Sequence, residues 1–106
     1  MNKPPLESRI EKDFLKGLKR IPCTLKVRKI NGMGYRSWPD RMILGPKKFI
    51  MFIELKRPKL GRVSPGQLDL FQDMKELGHN VPIFTDGKQA ADFVLDALIK
   101  HGALKC

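Results

Sequence analysis

The chain has 106 residues, enough for one domain spanning 1–106 whose core needs no disulfide or metal staple. Its residues are 42% hydrophobic and 30% charged, so it folds, and 21 Lys and Arg against 11 Asp and Glu leave a formal charge of +10. That excess disfavours calcium binding and favours a polyanionic partner, nucleic acid ahead of an anionic membrane. The distant Cys23 and Cys106 and the unclustered His79 and His101 argue against a disulfide framework or a structural zinc site.

Leu6, Ile10, Phe14 and Leu18 recur every four residues and predict a first helix over 6–20, preceded by Pro4-Pro5 and closed by Pro22. Residues 23–30 alternate as a strand, and Asn31-Gly32-Met33-Gly34 reads as a loop. Residues 40–44 and 49–55 form a predicted hairpin around Gly45-Pro46-Lys47-Lys48, and the continuously apolar Phe49–Ile53 run marks its second arm as a buried central strand. A basic loop over 56–63 leads to Ser64-Pro65, an N-cap followed by proline at the first helical position, and that helix stops at Gly78. A short strand over 81–85 and a last helix over 86–100 complete the order α-β-β-β-α-β-α, an α/β chain. The opening Met1-Asn2-Lys3-Pro4-Pro5 runs into charged residues with no apolar stretch, which implies a cytoplasmic protein with no membrane association.

Glu54 ends the apolar strand, where an ionised carboxylate is costly unless paired or bound to a cation. Strand alternation puts Lys56 on its face and Leu55 opposite. The hairpin brings Asp40 near Glu54, and two carboxylates in so basic a chain suit a hard cation, Mg2+ or Mn2+, completed by water and phosphate oxygens. On the first helix Glu7 lies roughly 40° and Glu11 roughly 80° from the centre of the apolar stripe. Gln67 shares a helical face with Leu70, Phe71 and Met74, so its amide points inward.

Gly34, Trp38-Pro39-Asp40-Arg41, Phe52-Ile53-Glu54-Leu55-Lys56-Arg57-Pro58 and Ser64-Pro65-Gly66-Gln67, in this order and spacing, resemble the VRR-NUC family, the virus-type replication-repair branch of the PD-(D/E)XK nucleases. The resemblance implies a restriction-endonuclease-like core with a mixed central sheet flanked by helices. It implies Asp40 and Glu54 as metal ligands with the Leu55 carbonyl, Lys56 as a catalytic lysine, Gln67 as a supporting residue, and a helical acid that fits Glu11 better than Glu7. Stand-alone domains of this kind are similar to phage-encoded nucleases acting on branched DNA.

The expected activity is therefore Mg2+-dependent, structure-selective DNA cleavage, as a Holliday-junction resolvase or else a general nicking or flap endonuclease, with no organic cofactor. A non-catalytic basic nucleic-acid-binding module is the competing class, but a pure binder has no reason to aim acids at a basic surface. Arg36, Trp38, Arg41, Arg57, Lys59 and Arg62 surround the proposed centre as phosphate contacts, and Tyr35 or Trp38 is placed to stack on an unpaired base. Paired nicks in a four-way junction favour a homodimer. In the last helix apolar residues cover well over half the circumference, which leaves Leu95 and Ile99 for a partner unless the tail Ala103-Leu104 covers them.

Overall fold

The computed structural model describes residues 6–31, 36–58 and 62–104. Helix α1 (Glu7–Leu18) is followed by strands β1 (Lys26–Lys29), β2 (Arg41–Gly45) and β3 (Phe49–Leu55), helix α2 (Pro65–Glu76), strand β4 (Ile83–Phe84) and helix α3 (Gly87–His101). The sheet runs β1-β2-β3-β4; the first three strands are antiparallel neighbours and β4 joins β3 in parallel. The result is the mixed sheet that the family resemblance implies.

Strand alternation divides the core in two. Ile43, Phe49, Ile53 and Leu55 face α1 and α3, meeting Ile10, Phe14, Val94 and Leu98. Phe52, on the opposite face, packs with Phe71 and Met74 of α2. Glycines set how closely α1 and α3 approach. A Cβ on Gly87 would lie 2.2 Å from the Ile10 carbonyl oxygen, and one on Gly17 would lie 2.5 Å from the Ala91 Cβ. Helix α1 is thereby held against α3 along its length, from Ile10 to Gly17.

The element boundaries have local causes. β1 is shorter than 23–30 because Arg20 and Ile21 donate back to Gly17 and Leu18, and Cys23 donates to Ile21; these turns postpone the ladder, although Leu25 and Val27 still pack on the core. β4 is shorter than 81–85. Glu54 N–H donates to Pro82 O and Lys56 N–H to Phe84 O, but Pro82 has no N–H to return, so the parallel pairing stops there. α2 begins with a full capping box: Ser64 Oγ accepts from Gln67 N–H, and Gln67 Oε1 accepts from Ser64 N–H. It ends in a Schellman turn, with Gly78 at φ +94° and His79 N–H donating to Met74 O. The β2–β3 turn places Lys47 and Lys48 at φ +56° and +63°, a left-handed pair where sequence habit favours Asn-Gly.

Leu95 and Ile99 do not form the exposed stripe expected of α3. Leu95 packs against the main core, as do Ala103 and Leu104 after the left-handed Gly102, and Ile99 is half-buried. The exposed apolar residue of α3 is Phe93, tilted against Phe84 with ring centroids 5.2 Å apart. Among the described residues no helix is long and apolar enough to cross a membrane.

Candidate active site

The site forms where the β2–β3 ladder stops. The last antiparallel pair is Arg41 with Ile53, so Asp40 and Glu54 come opposite each other one step further on. Asp40 N–H donates to Glu54 Oε1 at 3.0 Å, and Ile30 N–H donates to the Asp40 carbonyl at 3.0 Å, which ties this residue to both flanking strands. Leu55 N–H, on the edge that β2 has vacated, donates to Asp40 Oδ2 at 2.8 Å. A side-chain oxygen therefore occupies the place of a ladder carbonyl. The N–H and C=O of one strand residue share an edge, so the Leu55 carbonyl opens on the Asp40 side.

Both carboxylates are buried, Asp40 3% exposed and Glu54 not at all. Asp40 Oδ1 accepts from Asn31 Nδ2. Glu54 Oε2 accepts from Gln67 Nε2 at 3.0 Å and from Lys56 Nζ at 2.9 Å. Desolvation holds the Asp40 carboxyl above its ordinary range, reinforced by the charge of Glu11 and opposed by the Leu55 amide, Lys56 and Asn31. Desolvation and then Asp40 raise Glu54 in the same way, against its contacts with Lys56 and Gln67. For Lys56, burial pulls downward, but Glu54 at contact distance, with Glu7 and Asp40 beyond, outweighs it. The ammonium is therefore held above its ordinary value.

The two helical acids take different places. Glu11 lies between Lys29 (3.8 Å) and Arg41 (3.6 Å), which are register partners across β1 and β2. Like charges directly opposite in a sheet repel, and Glu11 is their counter-ion. Glu7 is half-buried, and its charge is coupled to Asp40 and Lys56. Burial and the Asp40 charge raise its carboxyl, while Lys56 and Lys29 lower it. Asn31 is thus a site neighbour that the sequence reading did not assign, and Glu7 is the acid that it set second to Glu11. Glu7 was visible as an acid beside the helical stripe, whereas Asn31 preceded Gly32 and read only as a turn residue.

The expected phosphate contacts divide likewise. Arg36 and Arg62 are exposed, and Trp38 is 38% exposed. Arg57 is half-buried next to Lys56. Arg41 is turned inward by strand parity to Glu11, its side chain only 12% exposed. Lys59, with Gly34 and Tyr35, lies outside the described residues. A groove of about 570 Å³ lies away from the carboxylates, between α2, α3 and the open edge of β3, lined by Ile50, Phe52, Leu68, Phe71 and Phe93 among others.

The donor set of Asp40, Glu54 and the Leu55 carbonyl is all oxygen, which fits a hard divalent cation and not a thiophilic one. Among the described residues no three Asp, Glu, His or Cys side chains gather into a closed metal cage. Mg2+ needs no such cage, since it retains waters and takes one or two carboxylates together with substrate phosphates. The raised carboxyls point the same way, because a cation beside them would offset the cost of their burial.

The sequence matches no protein-family model and no curated protein. A solved structure described as a VRR_NUC domain is similar, with 27% identity and a TM-score of 0.67 over 90% of this chain and 95% of that one. The protein has the VRR-NUC fold, a nuclease-type α/β core, along nearly its whole length.

Proposed function

We propose that this protein is a metal-dependent, structure-selective DNA endonuclease whose centre is Asp40, Glu54 and Lys56, and that it resolves four-way junctions as a homodimer. The observation that carries the reading is the pair of buried carboxylates joined through the Asp40 N–H, with the Lys56 ammonium on Glu54. A merely structural ion pair needs one carboxylate per ammonium. Here two carboxylates share one buried corner and both resist ionisation.

Asp40, Glu54 and the Leu55 carbonyl would hold Mg2+ or Mn2+. A bound Mg2+ would supply a coordinated water of lowered pKa and relief of phosphate charge. The chain's own residues prepare the rest. Asn31 and the Leu55 amide fix the Asp40 carboxylate, and Gln67, anchored by its cap to Ser64, fixes Glu54. Lys56 is held protonated by its acidic neighbours, which suits an electrostatic role at the attacking water and scissile phosphate better than proton abstraction. Glu11 acts here through Arg41 and Lys29, and Glu7 is the acid nearer in charge to Asp40 and Lys56. Arg36 and Arg62 are exposed to bind flanking phosphates. A single chain carries one such centre, and two matched nicks require two.

The test is cleavage of duplex, flap, single-stranded and four-way junction DNA with Mg2+, by wild type and by Asp40→Asn, Glu54→Gln and Lys56→Ala. Junction cleavage into paired products by wild type, abolished in all three variants with DNA binding retained, supports the proposal. Cleavage by folded Glu54→Gln at the wild-type rate refutes the site. Cutting confined to flaps or single nicks refutes the resolvase reading but leaves the nuclease reading standing.

A further inference from the structure

We infer that the groove at the open edge of β3 is a docking site for an extended segment of another protein, apolar and basic in alternation, which adds to the sheet as a short strand beside Ile50 and Phe52. The inference stands apart from the nuclease reading and concerns a surface away from its carboxylates.

The backbone supplies the first argument. Glu54 N–H donates to Pro82 O and Lys56 N–H to Phe84 O, so the even-numbered residues of β3 turn their N–H and C=O away from β2. On that edge β4 pairs with Glu54 and Leu55 alone. Ile50 and Phe52 therefore present their amides and carbonyls on an edge that no strand covers among the described residues. Such an edge is a template for an added strand, and proteins commonly blunt it with proline or charge. Here the run is Phe49-Ile50-Met51-Phe52-Ile53, with neither.

The side chains around the edge supply the second. The groove beside it, of about 570 Å³, has residues of α2 and of α3 as its walls. Ile50 and Phe93 are each 42% exposed and Leu68 is 56% exposed, so three large apolar side chains from three elements line one depression. Single exposed apolar residues are ordinary, but a group of them around a groove marks a binding surface. A strand entering here would send alternate side chains to the two faces of the sheet, where α2 and α3 lie.

Charge selects the occupant. Residues 1–63 hold 17 Lys and Arg against 5 Asp and Glu, whereas residues 64–106, which supply both helical walls, hold 4 against 6. On α2, Leu68 and Gln72 line the groove, and Asp69 and Asp73 form the next row outward, both exposed. Lys75 also lines the groove, with Glu76 following it. Ion pairs among the described residues engage Asp13, Glu11, Glu54 and Asp96 and leave Asp69 and Asp73 without a cation. A nucleic acid would be repelled by this rim, and a second copy docked by two-fold symmetry would set the same carboxylates against their own equivalents. A peptide with Lys or Arg between its apolar residues meets both the groove and the rim. Ile50 and Glu54 are four residues apart, about 13 Å of strand, so a docked segment leaves the carboxylate pair open.

The probe is a fluorescein-labelled synthetic peptide of about seven residues, valine alternating with lysine, long enough for one strand. Anisotropy measures its binding to the full chain, and amide hydrogen exchange followed by NMR reads the backbone. The comparisons are the same peptide N-methylated at its central residues, a peptide with glutamate in place of lysine, and the Asp69→Lys/Asp73→Lys variant, whose substitutions fall on exposed positions. Docking predicts saturable binding of the valine–lysine peptide with slowed exchange at the Ile50 and Phe52 amides. Both signals should be lost with the N-methylated peptide, and affinity should fall about tenfold in the variant. Absence of saturable binding, unchanged exchange at those two amides, or equal affinity in the variant overturns the inference. So does a glutamate peptide that protects the same two amides as well as the lysine peptide does. Protection of these amides that grows with protein concentration in the absence of peptide assigns the groove to a second copy and overturns it too. None of these readouts involves DNA or Mg2+, so the nuclease reading stands or falls separately.

Discussion

Gln67 holds one hydrogen bond that no other residue can replace, and alanine there isolates its worth. Its backbone N–H would still reach Ser64 Oγ, so half of the capping box survives. Two contacts are lost, from Gln67 Oε1 to Ser64 N–H at 3.2 Å and from Gln67 Nε2 to Glu54 Oε2 at 3.0 Å. The first involves an exposed residue whose N–H water can serve, and it costs little. The second leaves a fully buried carboxylate oxygen with Lys56 as its remaining donor. Hydrogen bonds to charged groups contribute about 1.5–3 kcal/mol, and Lys56 at 2.9 Å keeps part of that, so the expected loss is about 2 kcal/mol. For a chain near 100 residues this lowers Tm by about 8–16 °C. Urea denaturation at pH 7 measures it, with the exposed Gln72→Ala as control at under about 0.5 kcal/mol. Gln67→Glu sharpens the assay: it retains the cap but turns a carboxylate on Glu54, so it destabilises at pH 7 and recovers as the pH falls and one of the pair protonates. A Gln67→Ala variant as stable as Gln72→Ala would refute the view that Glu54 depends on this amide.

The carboxyls of Glu7, Asp40 and Glu54 all sit above their ordinary values of 4.5, 3.8 and 4.5, so the folded state keeps protons that the unfolded chain has released. Their contribution is complete below those ordinary values and lost as pH rises through the raised ones. The cation-free protein should therefore melt highest in mild acid and lower at neutral pH, where Mg2+ should restore Tm; a scanning-fluorimetry profile flat in both respects counts against the buried pair. Gly87→Ala would drive a methyl into the Ile10 carbonyl and the Phe14 amide, backbone atoms that cannot swing away, and should cost about 3 kcal/mol in urea denaturation. Lys48→Gly relieves a left-handed non-glycine residue and should stabilise by about 0.5–1 kcal/mol, read in the same assay.

What could be read in advance depended on whether the signal was local. The five-residue apolar run Phe49–Ile53 marked β3, and Ser64-Pro65, an N-cap followed by proline, marked the start of α2. Asp40 and Glu54 could be paired because a hairpin's register follows from its turn. The inward turn of Arg41 was not legible because its charge was read without its parity; on the strand its side chain reaches Glu11. Asn31 was silent because its partner lies nine residues ahead, across the loop that joins β1 to β2. Leu95 and Ile99 seemed surplus because periodicity counts apolar positions but does not register how deeply the helix sinks; Leu95 packs on the main core and Ile99 is half-buried.

The Leu55 amide, bonded to a carboxylate where its neighbours in β3 bond to strands, makes the site's breathing separately observable. Most core amides exchange with solvent only when the sheet itself opens. This one is also released whenever Asp40 Oδ2 swings off the amide, without any unfolding of the hairpin. Its exchange rate, compared with that of the ladder amides beside it, is a clock for how often the proposed catalytic carboxylate leaves its resting place.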